Sequence, residues 1–140
     1  MLGFGNNPLS SYLNDHLAGS TAGLNLARRV AEAMADEIEE DREALLDVME
    51  RLSVGQDRIR VAAGWGAEKV LRFSPLSRLE ELEALSLGVE GKFALWKTLR
   101  HTHGDDPRLA GVDFDELAAR AQSQRRRLER QRLRAAEEAF

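Results

Sequence analysis

The fold turns on Ser10–Leu52, SSYLNDHLAGSTAGLNLARRVAEAMADEIEEDREALLDVMERL. Every seventh residue from Leu17 is apolar: Leu17, Leu24, Ala31, Ile38, Leu45 and Leu52. From Leu26 to Leu52 no Gly, Pro, Asn or Ser interrupts the run. Such a repeat places the apolar side chains on one stripe of a helix. The stretch Ala31–Asp36, AEAMAD, lacks the turn chemistry of a helix hairpin, and the heptad phase runs through it unbroken. The pattern therefore predicts one continuous helix over 8–52, roughly 65–70 Å long. A rod of that length leaves an apolar seam uncovered unless another chain covers it. The expectation is a homodimer with exchanged helices, its interface built from Leu24, Ala31, Ile38 and Leu45. The competing arrangement divides 8–52 into a helix pair.

Composition narrows the class. A chain of 140 residues makes one domain with a core of its own. It contains no Cys, which excludes disulfides and thiolate metal sites. The net charge of −4 favours neither a polyanion binder nor a disordered acidic chain. No apolar run reaches the roughly 20 residues that span a bilayer, and MLGFGNNPLSS is unlike a secretory signal. A cytoplasmic location is the default expectation.

Further elements follow from local signals. Asn7 caps and Pro8 opens the first helix. The small-residue patch Ala18–Gly23 lets another helix approach closely, although each Gly costs about 1 kcal/mol relative to Ala. Gly55 is a natural C-terminal cap. A helix over 56–73 carries Ile59, Val70 and Phe73, with Trp65 between two glycines. Ser74-Pro75 starts a helix over 75–100, whose apolar face holds Leu82, Leu85, Val89, Phe93 and Trp96. His101–Val112 reads as a loop. Asp113 caps a last helix over 113–139, with a thin seam of Phe114, Leu117, Ala121, Leu128 and Ala135. The chain is thus expected to be all-α: an up-down four-helix-bundle core with an additional C-terminal helix.

Candidate sites are few. His16 lies between Leu13 and Leu17 and is a candidate metal ligand or proton carrier, although a hydrogen-bonded histidine at a core rim explains it as well. Glu83 and Glu90 share a helix face among apolar residues; a buried carboxylate needs an Arg, a Lys or a cation. Together with Glu68 they make a candidate divalent-metal set, His16, Glu68, Glu83 and Glu90, to which Glu37 or Asp41 could add oxygens. The Glu-x-x-His pairs of di-iron bundles are absent, because Leu13, Thr98 and Arg100 stand three residues before the three histidines. Arg125–Arg127, Arg130, Arg132 and Arg134 spread around their helix with no interleaved aromatic. They suit a solvated helix partly paired to the acidic Glu37–Glu43 patch of a neighbour better than nucleic acid. No Walker, GxGxxG or nucleophile motif is present.

Several phrases carry a resemblance: Tyr12–Gly19 (YLNDHLAG), Glu37–Glu43 (EIEEDRE), Ala67-Glu68-Lys69, Ser74–Ser77 (SPLS) and Leu87–Lys92 (LGVEGK). In that order the chain resembles a family of small bacterial, actinobacterial-type helical-bundle proteins, loosely ferritin-like. The resemblance implies a four-helix bundle plus a C-terminal helix. It brings no established activity, cofactor or catalytic residue. The chain departs from that pattern by lacking a Gly/Pro-containing linker before Glu37–Glu43 and a longer stretch between Lys69 and Ser74. Two functional expectations result. One is a non-enzymatic bundle acting through self-association or partner binding, without a cofactor. The other is a metal-binding, ferritin-like bundle using the His/carboxylate set.

Overall fold

The computed structural model describes residues 7–58 and 77–140. The described residues are helical and hold no strand. The helices are α1 (Pro8–Val30), α2 (Glu32–Arg51), α3 (Ser77–His103) and α4 (Phe114–Ala139), with a 3-10 turn at Pro107–Leu109 before α4. The expected helix over 56–73, Glu68 and the Ser74-Pro75 start lie outside the described residues.

The continuous helix over 8–52 is not formed. Helix α1 ends at Val30 and α2 starts at Glu32, so a single residue, Ala31, makes the turn (φ −147°, ψ 52°). The two helices lie antiparallel: Arg42 donates to Thr21, and Asn14 beside Ser10 donates to the Gly55 carbonyl. Alanine carries no turn signal, and no side chain caps α2. An absent cap costs about 1 kcal/mol. Burial of one Leu or Ile stabilises by about 1.5–3 kcal/mol, and the fold-back buries Leu24, Ile38 and Leu45 within the chain. The seam therefore outweighs the local cost of the turn. Leu24, Ala31, Ile38 and Leu45, expected at a dimer interface, are instead 2–9% exposed in the core of a single chain.

Local chemistry sets the other boundaries. Asn7 Oδ1 accepts from the Leu9 and Ser10 amides, as expected of a cap before Pro8. Helix α2 ends at Leu52 rather than through Gly55. Ser53 takes the left-handed conformation (φ 57°), with hydrogen bonds from Ser53 N to Glu50 O and from Val54 N to Met49 O. That pair of bonds is a Schellman closure made without glycine. Gly55 instead offers its carbonyl to Asn14. Helix α3 extends through His101-Thr102-His103, which the sequence placed in a loop, and Thr102 bonds back to the Thr98 carbonyl. It stops at Gly104, where a Cβ would collide with the Arg100 carbonyl. Asp113 caps α4 by accepting from Glu116 N.

Among the described residues each helix has two antiparallel neighbours. Pairs Arg29–Glu81 and Gly23–Leu85 set α1 against α3. Pairs Arg100–Asp115, Glu90–Arg125 and Glu83–Arg132 set α3 against α4. Arg120–Asp41 and Arg127–Glu37 set α4 against α2. The C-terminal helix is thus a wall of the bundle rather than an addition to it. Helices α2 and α3 are parallel, so α3 begins at the end of the bundle opposite to the end where α2 stops. The core has two clusters. One gathers Leu24, Val30, Met34, Ile38, Leu85 and Leu128 at the Ala31 end, and the other Leu13, Leu17, Leu45, Met49, Trp96 and Phe114 at the far end. Leu82, Leu85, Val89 and Trp96 are buried as expected, and Phe93 only partly.

The hairpin can be tested by distance. Spin labels at Asp15 and Glu50, both on exposed positions, should lie under about 25 Å apart, the width of two helices plus the label arms. A continuous helix would hold them about 52 Å apart within one chain. A pulsed-dipolar measurement at that longer distance would restore the rod.

Candidate functional site

Between the two core clusters lies a polar layer. Asp41 follows Ile38 by three residues and precedes Leu45 by four, which places it on the buried stripe of α2. Lys92 stands likewise between Val89 and Trp96 on α3, and Gln124 between Ala121 and Leu128 on α4. Three helices thus each aim one polar side chain at the same level of the core. Asp41 is 1% exposed and Gln124 is fully buried.

The layer is closely satisfied. Lys92 Nζ donates to Asp41 Oδ2 and to Gln124 Oε1, both at 2.6 Å. Arg120 donates to Asp41 Oδ1 through Nε at 2.9 Å and through its terminal nitrogen at 2.6 Å. Gln124 Nε2 completes the carboxylate at 3.0 Å. Outward from this centre, Arg127 grips Glu37 with two bonds at 2.8 and 2.7 Å, and Arg120 reaches Glu40 at 3.1 Å. Three carboxylates (Glu37, Glu40, Asp41) thereby meet three cations (Lys92, Arg120, Arg127). Burial lowers the Lys92 pKa against the opposing pull of Asp41. The Arg127 bonds hold the Glu37 carboxyl below its ordinary value. Thr21 adds a further polar contact by accepting from Arg42 while donating to the Leu17 carbonyl.

The expected metal residues take other places. Glu83 and Glu90 are about half exposed rather than buried, and they pair with Arg132 and Arg125 on α4. The α3 glutamate that is buried is Glu81, 5% exposed and bonded to Arg29 at 2.8 Å. His16 faces the α1–α3 seam, stacks edge-on with Tyr12 at 4.7 Å, and lies beside Gly91. Burial lowers its pKa, with Asp15 opposing. The described members of the set are therefore not brought together, and Glu68 lies outside the described residues. Among the described residues no group of three His, Asp or Glu side chains is arranged to hold a metal ion. Glu37 and Asp41, considered as extra oxygen ligands, are occupied by guanidinium and ammonium groups. The Arg-rich stretch does meet the acidic Glu37–Glu43 patch, but in its own chain.

The α3–α4 face forms a second feature. Glu83, Ser86, Leu87 and Glu90 of α3 and Gln122, Arg125, Arg126, Glu129 and Arg132 of α4 line a shallow groove. Leu87 is 75% exposed there. No family model, curated protein or solved structure matches this chain. No helix among the described residues is long and apolar enough to cross a membrane.

Two measurements probe the polar layer. Asp41→Ala leaves the Lys92 ammonium buried without its carboxylate, so it should cost about 3–5 kcal/mol in urea titration. Adding Lys92→Met should recover part of that loss, whereas independent sites would add. Glu37 titrates lower in the folded chain than its ordinary 4.5. Its contribution is therefore fully present above that pH and is lost as pH falls through the folded value. Arg127→Met should flatten this acid limb of the stability profile. An unchanged slope would show that the Glu37–Arg127 pair contributes nothing to it.

Proposed function

We propose that the protein is a non-enzymatic helical bundle that acts by self-association through the outer α3–α4 face. The observation that carries this reading is Leu87, a large apolar side chain 75% exposed at the middle of a long helix. Apolar residues scattered singly need no explanation, but Leu87 lies in a groove whose walls carry both carboxylates and guanidiniums, with Glu129 among the arginines of α4. Glu83 and Glu90 belong to α3; Arg125, Arg126 and Arg132 belong to α4. A two-fold axis through Leu87 would bury the two Leu87 side chains against each other, with the charged groups of the groove, paired across α3 and α4, as the rim. The apolar seam of α1 and α2 is consumed inside the chain and takes no part. The resemblance to small bacterial helical bundles fits a protein without catalytic apparatus. The divalent-metal alternative would need ligands beyond the described residues.

Light scattering after size exclusion, at low salt and a few hundred micromolar, should give a dimer. Leu87→Asp should return the mass to a monomer while leaving the thermal melt within a few degrees, because an exposed position contributes little to the fold. A wild-type chain that stays monomeric under these conditions would remove the proposal.

A further inference from the structure

The seam between α1 and α3 holds a partly open cavity of about 150 Å³. Its walls include Gly19 and Gly23 of α1, Gly88 and Gly91 of α3, and the apolar faces of Leu85 and Trp96. Glycines at a helix crossing ordinarily let the backbones touch, and the sequence suggested that role for the Ala18–Gly23 patch. Here they do not serve it. A Cβ built at Gly23 would meet only Leu85 Cδ1, and one at Gly91 only His16 Cε1, each at an ordinary 3.8 Å. At Gly19 and Gly88 a Cβ would meet nothing within 4 Å among the described residues. Each mid-helix glycine gives up about 1 kcal/mol of helix stability relative to alanine. Packing among the described residues requires none of the four; Gly23 and Gly91 leave room inside the seam, and Gly19 and Gly88 stand at its exposed mouth.

The chemistry of the walls narrows what that space would take. An apolar space of about this volume admits a molecule the size of benzene. Lys92, the one cation on the cavity wall among the described residues, is bound to Asp41, and the remaining carboxylate there, Asp15, is exposed, so the walls offer no cation to an anionic ligand. His16 also lines it. Its lowered pKa keeps the imidazole neutral near pH 7, able to give or take one hydrogen bond. On the inner wall Trp96 is fully buried, and its indole Nε1 has no hydrogen-bond partner among the described residues. Native structures seldom leave such a donor unsatisfied without a reason.

We propose that this cavity is a binding site for a small uncharged molecule of one aromatic ring, carrying a single hydroxyl or carbonyl group within reach of His16. The probes are phenol, benzene and benzoate, followed by amide chemical shifts and by thermal melting of the full chain. Phenol and benzene should shift the amides of Gly19, Gly23, Gly88 and Gly91 and raise the melting temperature, phenol at lower concentration, whereas benzoate should do neither. The variant G19A/G23A/G88A/G91A fills the space while improving helix propensity. It should melt higher than the wild type and bind phenol at least tenfold more weakly, so that misfolding cannot account for the loss. His16→Phe should keep benzene and lose the preference for phenol. A quadruple variant that melts lower than the wild type would show that packing needs the glycines, and the inference would fall. An unchanged phenol affinity in that variant, or shifts confined to the Leu87 face, would overturn it equally.

Discussion

The buried carboxylate of Asp41 is the constraint around which the bundle is arranged. A carboxylate removed from water is costly unless its oxygens are matched by hydrogen bonds and opposite charge. Asp41 receives four such bonds, from α3 through Lys92 and from α4 through Arg120 and Gln124. Those donors are correctly placed only when three helices share one register. A slide of α3 or α4 by one turn, about 5.4 Å, would bring Asp41 against apolar residues such as Val89, Trp96, Ala121 or Leu128 instead. Apolar packing alone would tolerate such slides, because the heptad stripe repeats. The polar layer thus acts as a register pin between two otherwise similar apolar clusters.

The same layer distributes the surface charge. Helix α2 carries Glu37, Glu40 and Asp41 on the side facing α4, and α4 answers with Arg120 and Arg127. Further along α4, Arg125 and Arg132 meet Glu90 and Glu83 of α3. The arginines therefore serve two walls of their own bundle. Exposed pairs of this kind contribute little stability each; their value is in fixing which helix neighbours which. Leu87 also lies on that side, outside the core clusters of the described residues.

The α1–α3 seam follows a different logic from the rest of the core. Elsewhere the helices meet through Leu, Met and Trp, and the interior is filled. Along this seam glycine replaces side chain, and the gap is bordered by the polar layer on one side and by His16 on another. A fold governed by stability alone would place alanine at these positions. The void and the register pin share Asp41 and Lys92, so an occupant of the cavity would bear directly on the interaction that aligns three helices.

Much of this architecture was legible in the residues. Helix content, the caps at Asn7 and Asp113 and the buried face of Leu82, Leu85, Val89 and Trp96 follow from propensity, capping chemistry and periodicity, all of them local. The polar layer was legible in part: Asp41, Lys92 and Gln124 each sit at i+3 and i−4 from core residues, but which would meet depends on the relative register of three helices, and no single helix encodes that. Glu83 and Glu90 shared a face, yet only packing decided that this face points toward arginines at the surface while Glu81 is buried. The turn at Ala31 was not legible at all. Its local sequence favours continuation, and its helix-forming residues and unbroken heptad are as compatible with a rod as with a hairpin. The choice belongs to the tertiary structure, because folding back covers an apolar seam worth several kilocalories per mole, far more than the capping that one alanine fails to supply.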